Sequence, residues 1–319
     1  MNRPAKSNVP APAGRVTSFT RIPDAVTLVI GPYLRGLREA RSVSLQKAAG
    51  VLGCHLAKIS RLETGITPQR TEDVLALMRY YGVHDPEQTE EIRRLFAGNR
   101  HRVPDCAPGW AARLAACESA ATAIRTYTPW TLPPILQTPA YAQALRRTLA
   151  PLIDESTEPA PFSRTLPPDH DKAVTVALDA TLLARPTGSA CVMAAQLAHL
   201  LAMIEHGHVQ IRIVPLDRLV ALPPNGNLSE LTLHGPLYVE ESAMSAVYAT
   251  GPVTRSKHLP LLDTVFDAAE STDRSADLIR QAQHRFAQEE PAHPAHFAET
   301  LPPSKDRPDR VGEPRLPPR

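Results

Sequence analysis

The stretch from Ser44 to Gly65, S-L-Q-K-A-A-G-V-L-G-C-H-L-A-K-I-S-R-L-E-T-G, limits what this chain can fold into. Ser44 is a good N-cap, since its hydroxyl can accept from backbone N–H groups left unpaired at a helix start. Leu45, Ala48, Ala49 and Leu52 follow at helical spacing and make one apolar face. Gly53 stands where that helix needs a left-handed exit, which glycine adopts without steric cost. A second periodic run begins near His55, with Leu56, Ile59 and Leu62 on one face and Gly65 at its end. Two short helices, a turn of about three residues containing Gly, and small alanines at the crossing suit a helix-turn-helix. The same pieces also suit an αα-hairpin in a helical core.

The flanks supply more helices. Residues 1–24 hold Pro4, Pro10, Pro12, Gly14 and Pro23 and read as a flexible basic arm. Residues 26–100 read as one helical domain. Gly31-Pro32 places proline at a helix start, with Leu34 and Leu37 inward and the helix running to about Arg41. Thr71-Glu72-Asp73 opens another helix, which carries Val74, Leu75, Leu77 and Met78 and ends at Gly82. Asp85-Pro86 opens a fifth, with Ile92, Leu95 and Phe96 inward. Charge is uneven. Residues 1–61 hold ten Lys/Arg against two acids, yet the whole chain carries only +2, so the remainder is net acidic. A basic end on an acidic body suits a polyanion bound at that end, unless it is chance clustering in an arginine-rich chain.

I-G-P-Y-L-R-G-L-R-E-A-R (30–41), S-L-Q-K-A-A-G-V-L-G (44–53) and K-I-S-R-L-E-T-G (58–65) resemble the phage-repressor-like (Cro/C1, or Xre-type) helix-turn-helix. The resemblance implies a lambda-repressor-like helical bundle whose helix from about Leu56 to Glu63 enters the major groove of double-stranded DNA. It implies a DNA-contacting set of Ser44, Lys47, His55, Leu56, Ala57, Lys58 and Arg61. Leu56, Ala57 and Arg61 match base-facing positions, and Lys58 matches one near phosphate. Arg38 and Glu63 match a buried pair that ties the first helix to the recognition helix. Arg61 either pairs with guanine O6 and N7 or is simply solvated. Lys58 either meets phosphate, which positions without specifying, or is a surface lysine. Leu56 and Ala57 suit a thymine methyl, and Leu56 also suits the core. Three positions depart from the family: His55 and Ala57 replace hydroxyl residues, and Leu45 replaces a polar one. Histidine is the poorer cap, by about 1 kcal/mol.

Beyond this domain, Pro104, Pro108 and Gly109 make 101–109 a connector. A helical run with Trp110, Leu114, Cys117, Ala121 and Ile124 is expected to end before Pro129. The second domain, 110–288, continues with a helix from Pro139, an irregular loop at Pro159, Pro161, Pro167 and Pro168, and a helix over 190–204. Strands are expected at 174–179, 209–215, 228–233, 237–241 and 245–249, with a turn at Pro223 to Asn227 and a last helix from Asp273 to Phe286. L-P-P-I-L-Q-T-P-A-Y-A (132–142), L-D-A-T-L-L-A-R-P-T-G (178–188), Q-L-A-H-L-L (196–201), I-R-I-V-P (211–215) and S-T-D-R-S-A-D-L-I (271–279) resemble the regulatory domain that follows such a helix-turn-helix in many regulators of high-GC Gram-positive bacteria. Pro134 and Ala180 depart from that pattern. Residues 289–319 are proline-rich and charged and read as a disordered tail. The fold class is α+β: an all-α helix-turn-helix bundle, then a mixed α+β regulatory domain.

Four scattered cysteines without a C-x-x-C fit a reducing cytoplasm, and no apolar run is long enough to span a membrane. No G-x-G-x-x-G, P-loop, H-E-x-x-H or G-x-S-x-G occurs. Ser189 reads as a helix-start serine rather than a nucleophile. His199, His206 and His208 lack a cysteine to complete a metal site. Tyr127, Trp130 and Tyr141 suit either a small-molecule pocket or an aromatic core. The expectation is a cytoplasmic, non-enzymatic, cofactor-free regulator that binds DNA. The resemblance implies a homodimer, with a small protein or a small-molecule effector acting on the second domain. The alternative is an antitoxin-like interaction protein whose helix-turn-helix is a scaffold.

Overall fold

In the computed structural model, residues 23–149, 171–218, 220 and 226–289 are described. The basic arm before Pro23, the proline loop at 159–168, most of the turn at 223–227 and the tail beyond Glu289 lie outside the described residues.

Five helices form the N-terminal bundle: α1 (Ala25–Ala40), α2 (Leu45–Val51), α3 (Leu56–Glu63), α4 (Thr71–Tyr80) and α5 (Pro86–Ala97). Ser44 caps α2, its Oγ accepting from Lys47 N. Gly53 turns the chain in the left-handed region, at φ 57°. Ala48, Ala49, Ile59 and Leu62 are buried where α2 and α3 meet.

Gly31-Pro32 does not start a helix. Pro32 lies in the middle of α1, which begins at Ala25 behind an Asp24 cap. Proline has no N–H to give the carbonyl four residues earlier. That carbonyl, Leu28 O, instead accepts from the thiol of Cys117, at 3.9 Å. Burial pushes the Cys117 pKa up, which keeps the thiol a donor. Ten consecutive residues, Ala25 to Leu34, are buried. A helix buried on every side needs neighbours on every side. For α1 these are α3 and α4 within the bundle, and α6 (Trp110–Ala120), β1 (Arg102–Asp105) and β7 (Ala246–Ala249) beyond it.

Among the described residues, the second half holds one seven-stranded sheet in the order β1-β7-β6-β5-β2-β3-β4. Its other strands are β2 (Ala123–Thr128), β3 (Ala173–Asp179), β4 (Gln210–Val214), β5 (Asn227–Thr232) and β6 (Pro236–Glu241). Strands β2, β3 and β4 run parallel, and the remaining pairings are antiparallel. The register places Val103, Tyr248, Val239, Ser229, Thr126, Val176 and Ile211 in one row across all seven strands. Directly opposed residues share a face. At one end of that face stand α1 and α6. At the other stand α8 (Ala190–Glu205) and α10 (Thr272–Gln288). The bundle and this sheet face share one continuous core. On the opposite face α9 (Pro252–Ala268) packs Leu262, Val265 and Phe266 against Tyr127, Ala177 and Val214. The remaining helix, α7 (Pro139–Leu149), precedes β3 and packs on α8.

Two further expectations are corrected. The connector expected at 101–109 contains β1, which pairs with β7 and makes an edge of the sheet. Val103 and Asp105 point inward and anchor it. The helical run from Trp110 stops at Ala120, and Ile124 lies in β2. There the pattern Ile124, Thr126, Thr128 has period two, and Thr126 Oγ1 meets Ser229 Oγ across the strands at 2.7 Å.

Candidate nucleic-acid interface

Helix α3 is set by three grips on its inner side. Arg38, near the end of α1, places Nε 2.7 Å from Glu63 Oε1 and Nη2 3.0 Å from Oε2. Its Nη1 also donates to Val43 O at 2.9 Å, tying the same side chain to the turn before α2. A two-pronged guanidinium–carboxylate pair fixes orientation as well as distance. Gln69 Nε2 donates to Leu62 O at 2.9 Å and closes the C-terminal end of α3. The third grip is contact. A methyl group on Gly31 would lie 2.6 Å from Leu62 O and 2.9 Å from Gly65 N, so α3 ends directly on the α1 backbone. Gln69 was not singled out from the sequence, and Gly31 was noted only as the neighbour of Pro32, because their roles here exist only once α1 and α3 cross.

With Ile59, Leu62 and Glu63 buried, the outer face of α3 presents Leu56, Ala57 and Arg61 to solvent. Leu56 is 49% exposed, so it does not serve the core. His55 occupies the cap position and makes no side-chain cap hydrogen bond. Ser44 and Lys47 are exposed at the start of α2. The Ser44 hydroxyl accepts from Lys47 N and keeps its own O–H to donate. Lys58 differs from the rest: its Nζ lies 2.7 Å from Asp73 Oδ2 on α4. Arg70, just before α4, is exposed beyond the end of α3 and was missed from sequence. Lys47, Arg61 and Arg70 make no ion pair among the described residues.

Other sequence suspects do not converge. Ser189 caps α8, its Oγ accepting from Val192 N. His206 and His208 stack at 5.5 Å between ring centres. His199 sits on α8, where burial lowers its pKa. No three metal-holding groups cluster among the described residues. Tyr127 and Tyr141 are buried, whereas Trp130 is exposed beneath Arg185. A cavity of about 370 Å³ lies in the bundle between α4 and α5, lined by Leu75, Arg79, Val83, His84, Glu90 and Arg93 among others. None of the described helices is long and apolar enough to cross a membrane.

Comparison with known families separates the same two regions. Residues 111–281, more than half the chain, match a family described as a domain of unknown function, DUF5753. The chain belongs to the DUF5753 family. Residues 29–92 match a helix-turn-helix domain, the part of this DUF5753 protein that holds every residue of the exposed α3 face. No curated protein matches the DUF5753 chain. Strand β1 and the first turn of α1 fall outside both matched ranges, although both are packed into the shared core.

Proposed function

We propose that this DUF5753 protein is a sequence-specific DNA-binding regulator of transcription, of the Xre (Cro/C1) type. Arg61 reads guanine, and Leu56 and Ala57 face thymine methyls. Lys47, Arg70 and the Ser44 hydroxyl hold phosphates. In this reading the chain acts in the cytoplasm of a high-GC Gram-positive bacterium, as a homodimer on two half-sites. A small protein or small-molecule effector tunes it through the sheet domain, and no catalytic step is assigned. The observation that carries the reading is the outer face of α3, exposed at Leu56, Ala57 and Arg61 and with no ion pair at Arg61 among the described residues, while its inner face is clamped by Arg38, Gln69 and Gly31.

Selection of bound fragments from a random duplex pool, at low and at physiological salt, tests it. An enriched motif is expected, palindromic if the protein binds as a dimer. Arg61→Ala should flatten the preference at one position by about 1–3 kcal/mol. A motif that survives Arg61→Ala intact would remove Arg61 from the reading role.

One observation favours a second reading. Val51, Leu56 and Ile66 are large exposed apolar side chains on α2, at the start of α3 and just after α3. Together with the missing His55 cap, they suit an antitoxin-like protein that uses this surface to hold a protein partner. Absence of enrichment at both salts would favour that reading.

A further inference from the structure

The geometry points to Asp73 as a residue that withholds the charge of Lys58 from DNA, and so sets how tightly the chain grips any duplex. The inference rests on the DNA-binding reading above. Helical spacing puts Lys58 on the flank of α3, between buried Leu62 and exposed Arg61. From that flank its ammonium reaches Asp73 Oδ2 at 2.7 Å. Asp73 lies in the first turn of α4, where the positive helix end favours an acid. The pair is at the rim of the reading face rather than in the core: the Lys58 side chain is 43% exposed and that of Asp73 22%.

A phosphate approaching Lys58 meets the Asp73 carboxylate beside it. Attraction to the ammonium is then offset by repulsion from the acid at nearly the same distance. The phosphate must displace a hydrogen-bonded carboxylate or accept a neutral pair. Lys47, Arg61 and Arg70 carry no such companion among the described residues. Phosphate contacts add affinity without sequence information. Asp73 therefore lowers the grip on all duplexes alike and leaves base preference to the outer face of α3.

The test uses the full chain and a mixed-sequence duplex, titrated across a salt series with Asp73→Asn, Asp73→Ala, Lys58→Ala and the Lys58→Ala/Asp73→Asn double variant. Each neutralised phosphate contributes close to one to the slope of log affinity against log salt. Both Asp73 variants should bind about three- to tenfold more tightly at low salt, with a slope steeper by about one. The double variant, neutral at this place like the natural pair, should return to the affinity and slope of the natural chain, and Lys58→Ala alone should bind more weakly because it leaves the Asp73 carboxylate unpaired beside the phosphate. Thermal melts report whether either Asp73 variant loosens α4. The inference is overturned if Asp73→Asn and Asp73→Ala bind no more tightly than the natural chain, or if the Lys58→Ala/Asp73→Asn double variant still binds more tightly than the natural chain. Binding that ignores Asp73 sinks only this inference. Failure of the natural chain and every variant to bind the duplex at the lowest salt sinks the DNA reading together with it.

Discussion

His55 has the backbone of an N-cap, φ −75° and ψ 146°, yet its ring leaves the first N–H groups of α3 without a side-chain acceptor. Ser44 shows what a hydroxyl does in the same geometry one helix earlier. His55→Ser should therefore stabilise the chain by about 0.5–2 kcal/mol, read as a higher urea midpoint. It should also strengthen duplex binding, because serine adds a donor beside the reading face. An unchanged midpoint would mean that backbone or solvent already satisfies that end of α3. The missing cap was legible in the sequence, since it depends on one residue and its position. The Lys58–Asp73 pair was not. Each residue was visible, one on a recognition helix and the other at a helix start, but the angle between α3 and α4 decides that they meet.

Among the elements, α1 departs most from its sequence reading. Proline at Pro32 is a local signal for a helix start, and the local rule lost to burial. A-V-T-L-V-I-G-P-Y-L has no polar face, so it lowers its free energy only where neighbours cover it on all sides. That absence was the available signal. Helix α9 was not expected at all: Pro252 and Pro260 interrupt its sequence, and only the sheet face beneath it explains the buried Leu262, Val265 and Phe266. By contrast, α2, α3 and α4 follow their periodicities closely, because each has one buried side and one wet side, and strands β3 to β7 lie where their short apolar runs and flanking turn residues place them, although β6 is buried on both faces. Gly31→Ala tests the crossing of α1 and α3. Its methyl group would press on Leu62 O and Gly65 N, both backbone atoms that a side-chain rotation cannot move. A destabilisation of about 1–3 kcal/mol is expected in chemical denaturation, with weaker duplex binding as α3 is pushed outward. A variant as stable as the natural chain would show that α3 has room to slide.

At the scale of the whole molecule, the junction between bundle and sheet is built around a fully buried ion pair. Arg113 on α6 places Nη2 2.6 Å from Asp105 Oδ1 and Nε 2.7 Å from Oδ2, with both side chains at 0% exposure. Tyr33 of α1 lies beneath the guanidinium, 5.9 Å from ring centre to Cζ, and burial raises its pKa. Removing one partner of such a pair leaves an uncompensated buried charge, at a cost of about 3–5 kcal/mol. Asp105→Asn alters only the sheet edge, yet amide exchange should accelerate in α1 and α3 as much as in β1 and β7. Acceleration confined to the strands would mean that the two halves open separately. The single row of side chains from Val103 to Ile211 and the ten buried residues of α1 argue for joint opening. A chimera made by exchanging residues 29–92, the helix-turn-helix match, would cut α1 inside its buried stretch. It would then set a foreign surface against Arg113 and against β7. Altering what this protein reads therefore calls for substitutions on the outer face of α3, on the original chassis.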